Sequence, residues 1–356
     1  MKIILVEKEN ELKWNKFVDS NPEATFFHTL VWRDIIKEVY NFEPMYFMAL
    51  DNEEVTAIFP SFYTKSLIFG KKIISTPFNF YNGPLFKDEK AGEEIINYVI
   101  EKAKEKDAKY VEIKFMNEIS EKLKKEVKLE KNAHYFISSL ELAKNEEEAE
   151  KKYDKELKKN LRTLRRNAEK NGIIIRDIQG TKELKAFYDV MVRTLRDKHN
   201  MIPQPYKLFY SLFNKLQPKK MIKILLAVKD KEVIGGMIIL LFKNDAVYAW
   251  GASNLKYKKF SPSSLLIDST IKYLVLNNYK TLDFGVTSPY QESLLSFKEG
   301  WGCSHKKLPY YYSLIKSKEI PHLDYHTSFK NIRKLFRLVP IPIIKALSPL
   351  ITKQLG

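Results

Sequence analysis

Glycine is scarce in this sequence, at 12 among 356 residues, and the shortage limits which nucleotide-binding loops the chain can contain. No G-x-G-x-x-G run exists, because His305 stands where a third glycine would follow Gly300 and Gly302. The Gly70-Lys71 pair lacks the earlier glycine of a P-loop. The chain therefore carries neither the dinucleotide fingerprint nor the Walker loop.

Cysteine and long apolar runs are also nearly absent. Cys303 is the only cysteine, which excludes an internal disulfide and a cysteine-based metal cluster and makes a cytoplasmic location the default expectation. No uncharged apolar stretch approaches the roughly 20 residues that span a bilayer. The apolar run at the start, residues 3–6, is too short for a signal peptide and predicts a strand. His322 and His326 lack an evident third ligand, so we predict no metal site.

Positive charge is plentiful but unevenly distributed. The chain has 61 Lys and Arg against 44 Asp and Glu, a net charge of +17. Residues 1–150 have a net charge of −6, whereas residues 151–356 have a net charge of +23. This asymmetry indicates that the second half meets a polyanion, which is nucleic acid, a phosphorylated substrate or an anionic membrane.

The hydrophobic pattern predicts a mixed α/β protein. Each half gives a strand, helices, an antiparallel hairpin, a strand, a helix and a strand, so we predict two similar units, residues 1–150 and 151–315. Hairpin turns are expected at residues 51–53 and 230–232. The boundary falls in the acidic segment 143–153, and an amphipathic helix is predicted over 151–170.

Residues 316–356 form a basic tail with eight basic and two acidic residues. Apolar residues are interleaved with the charges from residue 329 onward, and Pro340, Pro342 and Pro349 are expected to break the tail into short helical pieces. One interpretation is an amphipathic segment that lies on a membrane surface. The other is a tail that packs over the surface of the protein itself.

Four segments of the second half carry a resemblance to a known family. They are the basic stretch 158–172, Trp250-Gly251-Ala252-Ser253, Leu282-Asp283-Phe284-Gly285, and Phe297-Lys298-Glu299-Gly300-Trp301-Gly302. Residues 27–32 and 77–83 look like weaker elements of the same family in the first half. The chain resembles the FemAB family, tandem acyltransferase-fold proteins that move an amino acid from aminoacyl-tRNA onto a cell-wall precursor.

The resemblance implies two tandem GNAT-like domains, each a mixed, mainly antiparallel sheet flanked by helices. The first domain would lie on the acceptor side and the second on the donor and catalytic side. The sequence departs from the family in two places. The family often has a serine directly after the Asp-Phe-Gly strand, whereas this chain has Val286-Thr287-Ser288. Many cell-wall members also insert a helical hairpin, and no pair of heptad segments in this sequence matches it.

Two residues are candidates for catalysis. The resemblance places Lys298 in the family's catalytic-lysine position, where a cation can stabilise an oxyanion or neutralise a substrate phosphate. The alternative is that Lys298 is one of many basic surface groups. Asp283 is a candidate acceptor of the amine proton, and the alternative is a structural carboxylate at the end of a strand.

Substrate-binding candidates lie in both halves. Arg162, Arg165 and Arg166, at positions i, i+3 and i+4 of a helix, can share a face and grip phosphate, unless that face is simply solvated. The resemblance makes Arg162 the best match to the family's phosphate site and Lys37 a weaker one. The other candidates are Trp32, Tyr81, Trp250, Ser253, Phe297 and Trp301, and aromatics at strand spacing are more often core residues than binding residues.

The expected function is transfer of an aminoacyl group from charged tRNA to a nucleotide- or lipid-linked glycan or peptide precursor, without a cofactor. Acyl transfer from acetyl-CoA or another acyl-CoA is the alternative, although residues 258–264 contain no glycine and Pro262 lacks a backbone donor. A third possibility is a non-catalytic protein that binds RNA or anionic membrane. We expect a cytoplasmic protein, peripheral on the inner membrane face through residues 329–356, with a monomer favoured.

Overall fold

A computed structural model describes residues 1–79, 81–321 and 337–356 of the chain. These residues separate into two units. Unit 1 contains residues 1–135, 307–321 and 353–356, and unit 2 contains residues 136–306 and 337–352. Residues 136–150, predicted in the first domain, therefore lie in unit 2, and residues 307–315, predicted in the second domain, lie in unit 1.

Unit 1 begins with a strand and two helices and continues with a series of short strands around one long helix. Its elements are β1 Lys2–Leu5, α1 Glu11–Ser20, α2 Leu30–Tyr40, β2 Glu43–Pro44, β3 Phe47–Asp51, β4 Glu54–Phe59, β5 Phe62–Ser66, β6 Gly70–Ile74, β7 Leu85–Phe86, α3 Glu89–Glu105, β8 Tyr110–Lys114 and α4 Glu121–Glu126. The chain then passes into unit 2 along β9, Glu130–Glu141.

Unit 2 repeats the order strand, helices, hairpin, strand, helix and strand. Its elements are α5 Glu146–Lys152, α6 Lys155–Lys170, β10 Ile173–Asp177, α7 Thr181–Thr194, α8 Tyr206–Leu216, β11 Ile222–Lys229, β12 Glu232–Phe242, β13 Asp245–Ser253, α9 Pro262–Leu276, β14 Thr281–Thr287 and α10 Glu292–Gly300. The chain returns to unit 1 along β15, Ser304–Leu314, and a last helix, α11, spans Ile341–Leu355.

The sheets are mostly antiparallel, so the predicted mixed α/β class is confirmed. Unit 1 has a small sheet in the order β1-β3-β4-β7 and a second set of strands in the order β15-β8-β6-β5-β2. In unit 2 the order is β10-β11-β12-β13-β14-β9. Each unit contains one parallel pair, β6 with β8 and β13 with β14, and a helix connects the two strands of each pair. That strand-helix-strand step is one part of the element order that the sequence pattern predicted to recur in both halves.

Both predicted hairpin turns form without glycine. Asn52 and Glu53 join β3 to β4, and Asp230 and Lys231 join β11 to β12. All four residues have positive φ, between 45° and 68°. Two successive residues of this kind make a type I′ turn, whose twist matches that of the strands it joins. Asn and Asp tolerate this conformation better than most residues, but Glu53 and Lys231 adopt it at some strain.

The predicted helix over 151–170 begins at Lys155, because Asp154 interrupts it. The Asp154 carboxylate accepts a hydrogen bond from the Leu157 N–H (2.6 Å) and caps α6. Residues 146–152, part of the predicted acidic boundary, form the separate helix α5.

Arg165 turns away from the exposed face of α6 and joins three helices of unit 2. It donates to both oxygens of the buried Asp268 on α9 (2.9 and 2.5 Å) and to Glu150 on α5 (2.7 Å). A bidentate guanidinium–carboxylate pair combines two charge-assisted hydrogen bonds in a fixed geometry. Arg165 therefore holds α6 in place, and three of its five N–H donors bind carboxylates rather than a phosphate. Arg162 and Arg166 remain exposed.

The tail prediction is wrong at two of its prolines. Residues 329–336 of the predicted tail lie outside the described residues, but α11 continues through Pro342 and Pro349. Pro342 stands in the first turn, where a helix needs no N–H donor. Pro349 removes one internal hydrogen bond, and contacts with unit 2 hold the helix there, since the Ser348 hydroxyl donates to the Pro203 carbonyl (2.6 Å).

We expect Arg165→Met to lower the free energy of unfolding by about 3 kcal/mol, because it leaves the Asp268 carboxylate buried without its main partner. Denaturant unfolding followed by circular dichroism measures the change. Arg162→Met, on the same helix but exposed, is the matched control and should change stability by less than about 0.5 kcal/mol. Equal effects of the two substitutions would show that Arg165 has no anchoring role.

Candidate functional site

The parallel strands β13 and β14 of unit 2 pair at one end and separate at the other. Pairing covers only residues 245–247 with residues 281–283, although β13 continues to Ser253 and β14 to Thr287. An extra residue, Ala249, bulges from β13 between Tyr248 and Trp250, which pair with successive residues of β12. The bulge turns β13 away from β14. The result is an opening at the carboxyl ends of two parallel strands, where α/β sheets commonly bind ligands.

A second bulge shapes β14 on the side of this opening. Phe284 and Gly285 together lie opposite the single residue Ser138 of β9. Gly285 has a φ of 74°, a conformation that suits glycine, and its N–H donates to the Asp283 carboxylate (2.6 Å). Asp283 is buried, and its carboxylate shapes this turn.

Lys298 reaches this bulge from α10. Its side chain is 4% exposed, and its Nζ donates to the Gly285 carbonyl (2.8 Å) and to the Thr287 hydroxyl (2.8 Å). An ammonium group has three donors, so one donor remains beyond these two contacts. Burial lowers the pKa of Lys298 to about 8, although the negative charge of Asp283 acts in the opposite direction. Lys298 is thus a buried cation that can lose its proton within the range of mild pH.

The neighbouring thiol is not activated. Burial raises the pKa of Cys303 to about 12, which strongly disfavours the thiolate. His305, two residues further on, interacts with other groups, since its Nδ1 lies 2.9 Å from the Ser138 hydroxyl and its Nε2 lies 3.4 Å from Glu299. These contacts favour Cys303 as a buried bystander. Across the described ranges, no group of three or more His, Cys, Asp or Glu residues could hold a metal ion.

Two of the four other candidates in unit 2 lie on β13 of this opening. Trp250 is half-buried and meets Phe209 edge-on, with ring centroids 5.4 Å apart. The Ser253 hydroxyl lies 3.0 Å from the Ser263 hydroxyl, which ties the end of β13 to the start of α9. The remaining two flank Lys298. Phe297 precedes it on α10 and is 41% exposed, whereas Trp301 directly follows α10, is fully buried and serves as core.

The first-half candidates all lie in unit 1. Trp32 is 1% exposed and packs edge-on against Phe27, so it is a core residue. Lys37 is exposed on α2. Tyr81 is buried and lines a cleft of unit 1.

Sequence reasoning missed the acceptors of Lys298. Thr287 lies in the Val286-Thr287-Ser288 segment, which in the sequence is only a departure from the family pattern. The Gly285 carbonyl is a backbone group, and only the bulge in β14 directs it at Lys298. The Thr287 hydroxyl, four residues after Asp283, is the one feature of the sequence that could have indicated an acceptor for Lys298.

The family comparison covers the two strands of this opening and ends before Lys298. Residues 155–292 match the acetyltransferase (GNAT) domain model, a range that includes α6, β13 and β14. Residues 155–292 are therefore similar to a GNAT domain in sequence as well as in fold. No curated protein sequence matches the chain.

Solved structures extend the likeness over most of the chain. The crystal structure of FemX superimposes with a TM-score of 0.70 at 14% identity, covering 89% of this chain and 98% of FemX. The structure of L-PGS from Bacillus licheniformis gives 0.57 at 12% identity, with 95% and 98% covered. A tandem GNAT protein from the clavulanic acid biosynthesis pathway gives 0.57 at 7% identity, with 90% and 99% covered. The fold is FemAB-like, with tandem GNAT-like domains, as predicted.

The burial of Lys298 predicts a pH-dependent contribution to stability. A lysine titrates near 10.5 when unfolded, against about 8 here. Between these values the unfolded state binds more protons, so the free energy of unfolding rises with pH. We expect the wild type to gain up to about 3 kcal/mol relative to Lys298→Met between these pH values, measured by denaturant unfolding. Lys72, also buried with its pKa lowered to about 8, is common to both proteins and cancels. A stability difference that does not change with pH contradicts this assignment.

Proposed function

We propose that this protein transfers an aminoacyl group from aminoacyl-tRNA to an amine on a nucleotide- or lipid-linked glycan or peptide precursor. The acceptor nitrogen attacks the ester carbonyl, a C–N bond forms, and the C–O bond to the tRNA ribose breaks. The nitrogen loses a proton and the departing ribose oxygen gains one. Lys298 stabilises the intermediate oxyanion with its remaining donor, at the opening between β13 and β14.

The start of α9 supports aminoacyl-tRNA, rather than acyl-CoA, as the acyl donor. A GNAT domain would be expected to bind the diphosphate of a coenzyme there. Such binding needs several free N–H groups at the helix start. Pro262 supplies none, and the N–H groups of Ser264 and Leu265 both donate to the Ser261 carbonyl (3.0 and 3.3 Å). The Ser263 hydroxyl interacts with Ser253. Few N–H groups therefore remain there to bind a diphosphate. This favours an acyl donor other than acyl-CoA.

A second feature favours a polyanionic donor. The exposed side of α6 presents Lys155, Lys159, Arg162, Arg166 and Lys170. Because Arg165 anchors the helix from its other side, this row of cations is held on a rigid element. Lysine and arginine rows of this kind bind nucleic acid phosphates in a salt-dependent way.

The direct test supplies charged tRNA or acetyl-CoA together with nucleotide- and lipid-linked precursors and measures amide formation. We expect transfer from tRNA, a loss of about a hundredfold or more in kcat for Lys298→Met, and a decline of the wild-type rate as pH rises through about 8, since the cation is then lost. Transfer from acetyl-CoA alone would reject the proposal. A rate that increases through the same pH range would instead make Lys298 a general base.

The controls separate donor binding from chemistry. Arg162→Glu with Arg166→Glu should raise KM for charged tRNA and leave the folded state intact, because both side chains are exposed. Lys207→Glu, a charge reversal on α8 of the same unit, is the matched control. If both proteins show the same KM, α6 is not the face that binds tRNA.

The same protein is proposed to dock on an anionic membrane surface through α11. Ile344, Ser348 and Thr352 of this helix are buried, at 3%, 0% and 2% exposure. Three other apolar side chains, Ile343, Leu347 and Leu350, are 49%, 42% and 66% exposed. Residues 337–356 include Arg337, Lys345 and Lys353 and no acidic residue. An exposed apolar face beside basic groups is typical of interfacial helices. In the part of the chain that the structure describes, no helix combines the length and apolarity needed to cross a bilayer.

We expect Leu347→Ser with Leu350→Ser to weaken binding to phosphatidylglycerol vesicles at least about tenfold in a flotation assay, since each leucine gives up favourable burial in lipid. Leu12→Ser with Leu276→Ser, at 66% and 70% exposure elsewhere, is the matched control and should bind like the wild type. Unchanged binding of the α11 variant would remove this helix from membrane docking.

A further inference from the structure

The turn between β5 and β6 of unit 1 exposes two aliphatic side chains. Residues 67–69, here called the hairpin tip, join the strands beyond their last pair, Ser66 with Gly70. Leu67 is 95% exposed and Ile68 is 54% exposed, and no other large apolar side chain that the structure describes is as exposed as Leu67. Side chains exposed to this extent contribute nothing to the core of unit 1. The tip therefore offers apolar surface to a partner outside the chain.

The backbone N–H groups of the hairpin tip are bonded within the protein. The Ser66 hydroxyl oxygen accepts from the N–H groups of Ile68 and Phe69 (3.1 Å each). The Leu67 N–H donates to the side-chain carbonyl of Gln354 (2.7 Å). An N–H group without an acceptor is costly away from water, and this cost normally keeps irregular loops out of lipid. For three successive residues of this tip, the cost is already met by internal hydrogen bonds.

The hairpin tip has a fixed shape because the end of α11 supports it. Gln354 lies in the last turn of α11, and its backbone carbonyl accepts from the Ser66 hydroxyl (2.8 Å). The Thr64 hydroxyl donates to the Gly356 carbonyl (3.3 Å). Residues 353–356 and the tip belong to the same unit. Gly70, which closes the turn, has a φ of 77°, a conformation that favours glycine.

Positive charge surrounds the hairpin tip. Two lysines face each other across β5 and β6 beside the closing pair, a third lies against Gly70, and a fourth precedes Gln354. In that order they are Lys65, Lys71, Lys109 and Lys353. Asp107 pairs with Lys71 (2.9 Å) and also with Lys316, so two lysines share this one carboxylate. The tip thus combines exposed aliphatic side chains with a net positive charge.

We propose that the hairpin tip inserts into an anionic phospholipid membrane, with Leu67 and Ile68 among the acyl chains and the lysines at the headgroup phosphates. Apolar side chains on a loop with bonded N–H groups suit the lipid, and the lysines suit anionic headgroups. A second copy of the chain is a poorer partner, because packing tip to tip would bring the lysines of both copies together. The inference rests on the membrane association proposed for α11 and adds a second point of contact.

A fluorescent label on the full-length protein reports insertion directly. Leu67→Cys can be labelled selectively with an environment-sensitive thiol reagent, because the one native cysteine, Cys303, is buried. On vesicles of phosphatidylglycerol and phosphatidylcholine we expect the emission to shift to the blue and to be quenched by phospholipids brominated on their acyl chains. Leu12→Cys, 66% exposed on α1 of the same unit, is the matched control and should remain unquenched.

Substitutions separate the apolar contribution from the electrostatic one. Leu67→Ser with Ile68→Ser should weaken vesicle binding at least about tenfold in a flotation assay, since both side chains lose burial in lipid. Thermal unfolding should not change, because both are exposed. Lys65→Gln with Lys109→Gln should weaken binding to the same vesicles about tenfold. Lys90→Gln with Lys122→Gln, two exposed lysines on α3 and α4, is the matched control and should bind like the wild type.

The outcomes distinguish this inference from the proposed function. An unquenched label at position 67 on protein that is bound to vesicles overturns insertion of the tip and leaves docking through α11 intact. A wild type that does not bind vesicles overturns both. A blue shift that rises with protein concentration in the absence of lipid assigns the tip to self-association and also overturns its insertion. Quenching at position 67 supports insertion even where no aminoacyl transfer is measured, since the label reports contact with lipid and not chemistry.

Discussion

A buried ammonium group must be surrounded by acceptors, and this requirement at Lys298 shapes the carboxyl end of β14. A dehydrated cation is costly unless hydrogen bonds replace its lost water. The Gly285 carbonyl and the Thr287 hydroxyl provide that replacement. The first can face Lys298 only because the strand bulges opposite Ser138 and Gly285 takes a left-handed conformation held by Asp283. The path of β14 and the position of α10 therefore depend on each other through Lys298.

Charged groups with a structural role also occur on α6 and in unit 1. Arg165 gives its donors to Asp268 and Glu150, so the helix keeps a fixed position while the cations on its other side stay in water. In unit 1, the Lys114–Glu112 pair supports a loop rather than a substrate. In both units a charged pair next to the core stabilises the backbone.

Much of the fold could be predicted from the sequence because it depends on local patterns. Alternation of apolar residues and the turn residues at 51–53 and 230–232 predicted the hairpins, and the repeated element order predicted two similar units. The inward turn of Arg165 was not predictable, because its partner Asp268 lies 103 positions away in the chain. The proline rule failed at Pro349, where tertiary contacts of Ser348 outweigh one lost hydrogen bond. Lys298 was found through the family resemblance, but its backbone acceptor depends on a bulge that no side-chain pattern encodes.

The glycine-free hairpin turns have a consequence for how the chain folds. A type I′ turn with Glu53 or Lys231 in a left-handed conformation is strained, so it is a poor starting point for a hairpin. The two strands must then find their register through side chains, such as the buried Met48–Ile58 and Ile224–Ile238 pairs, before the turn can close. The turns would therefore close only after the strands have packed together. Packing of the core, rather than turn formation, would set the order of events in folding.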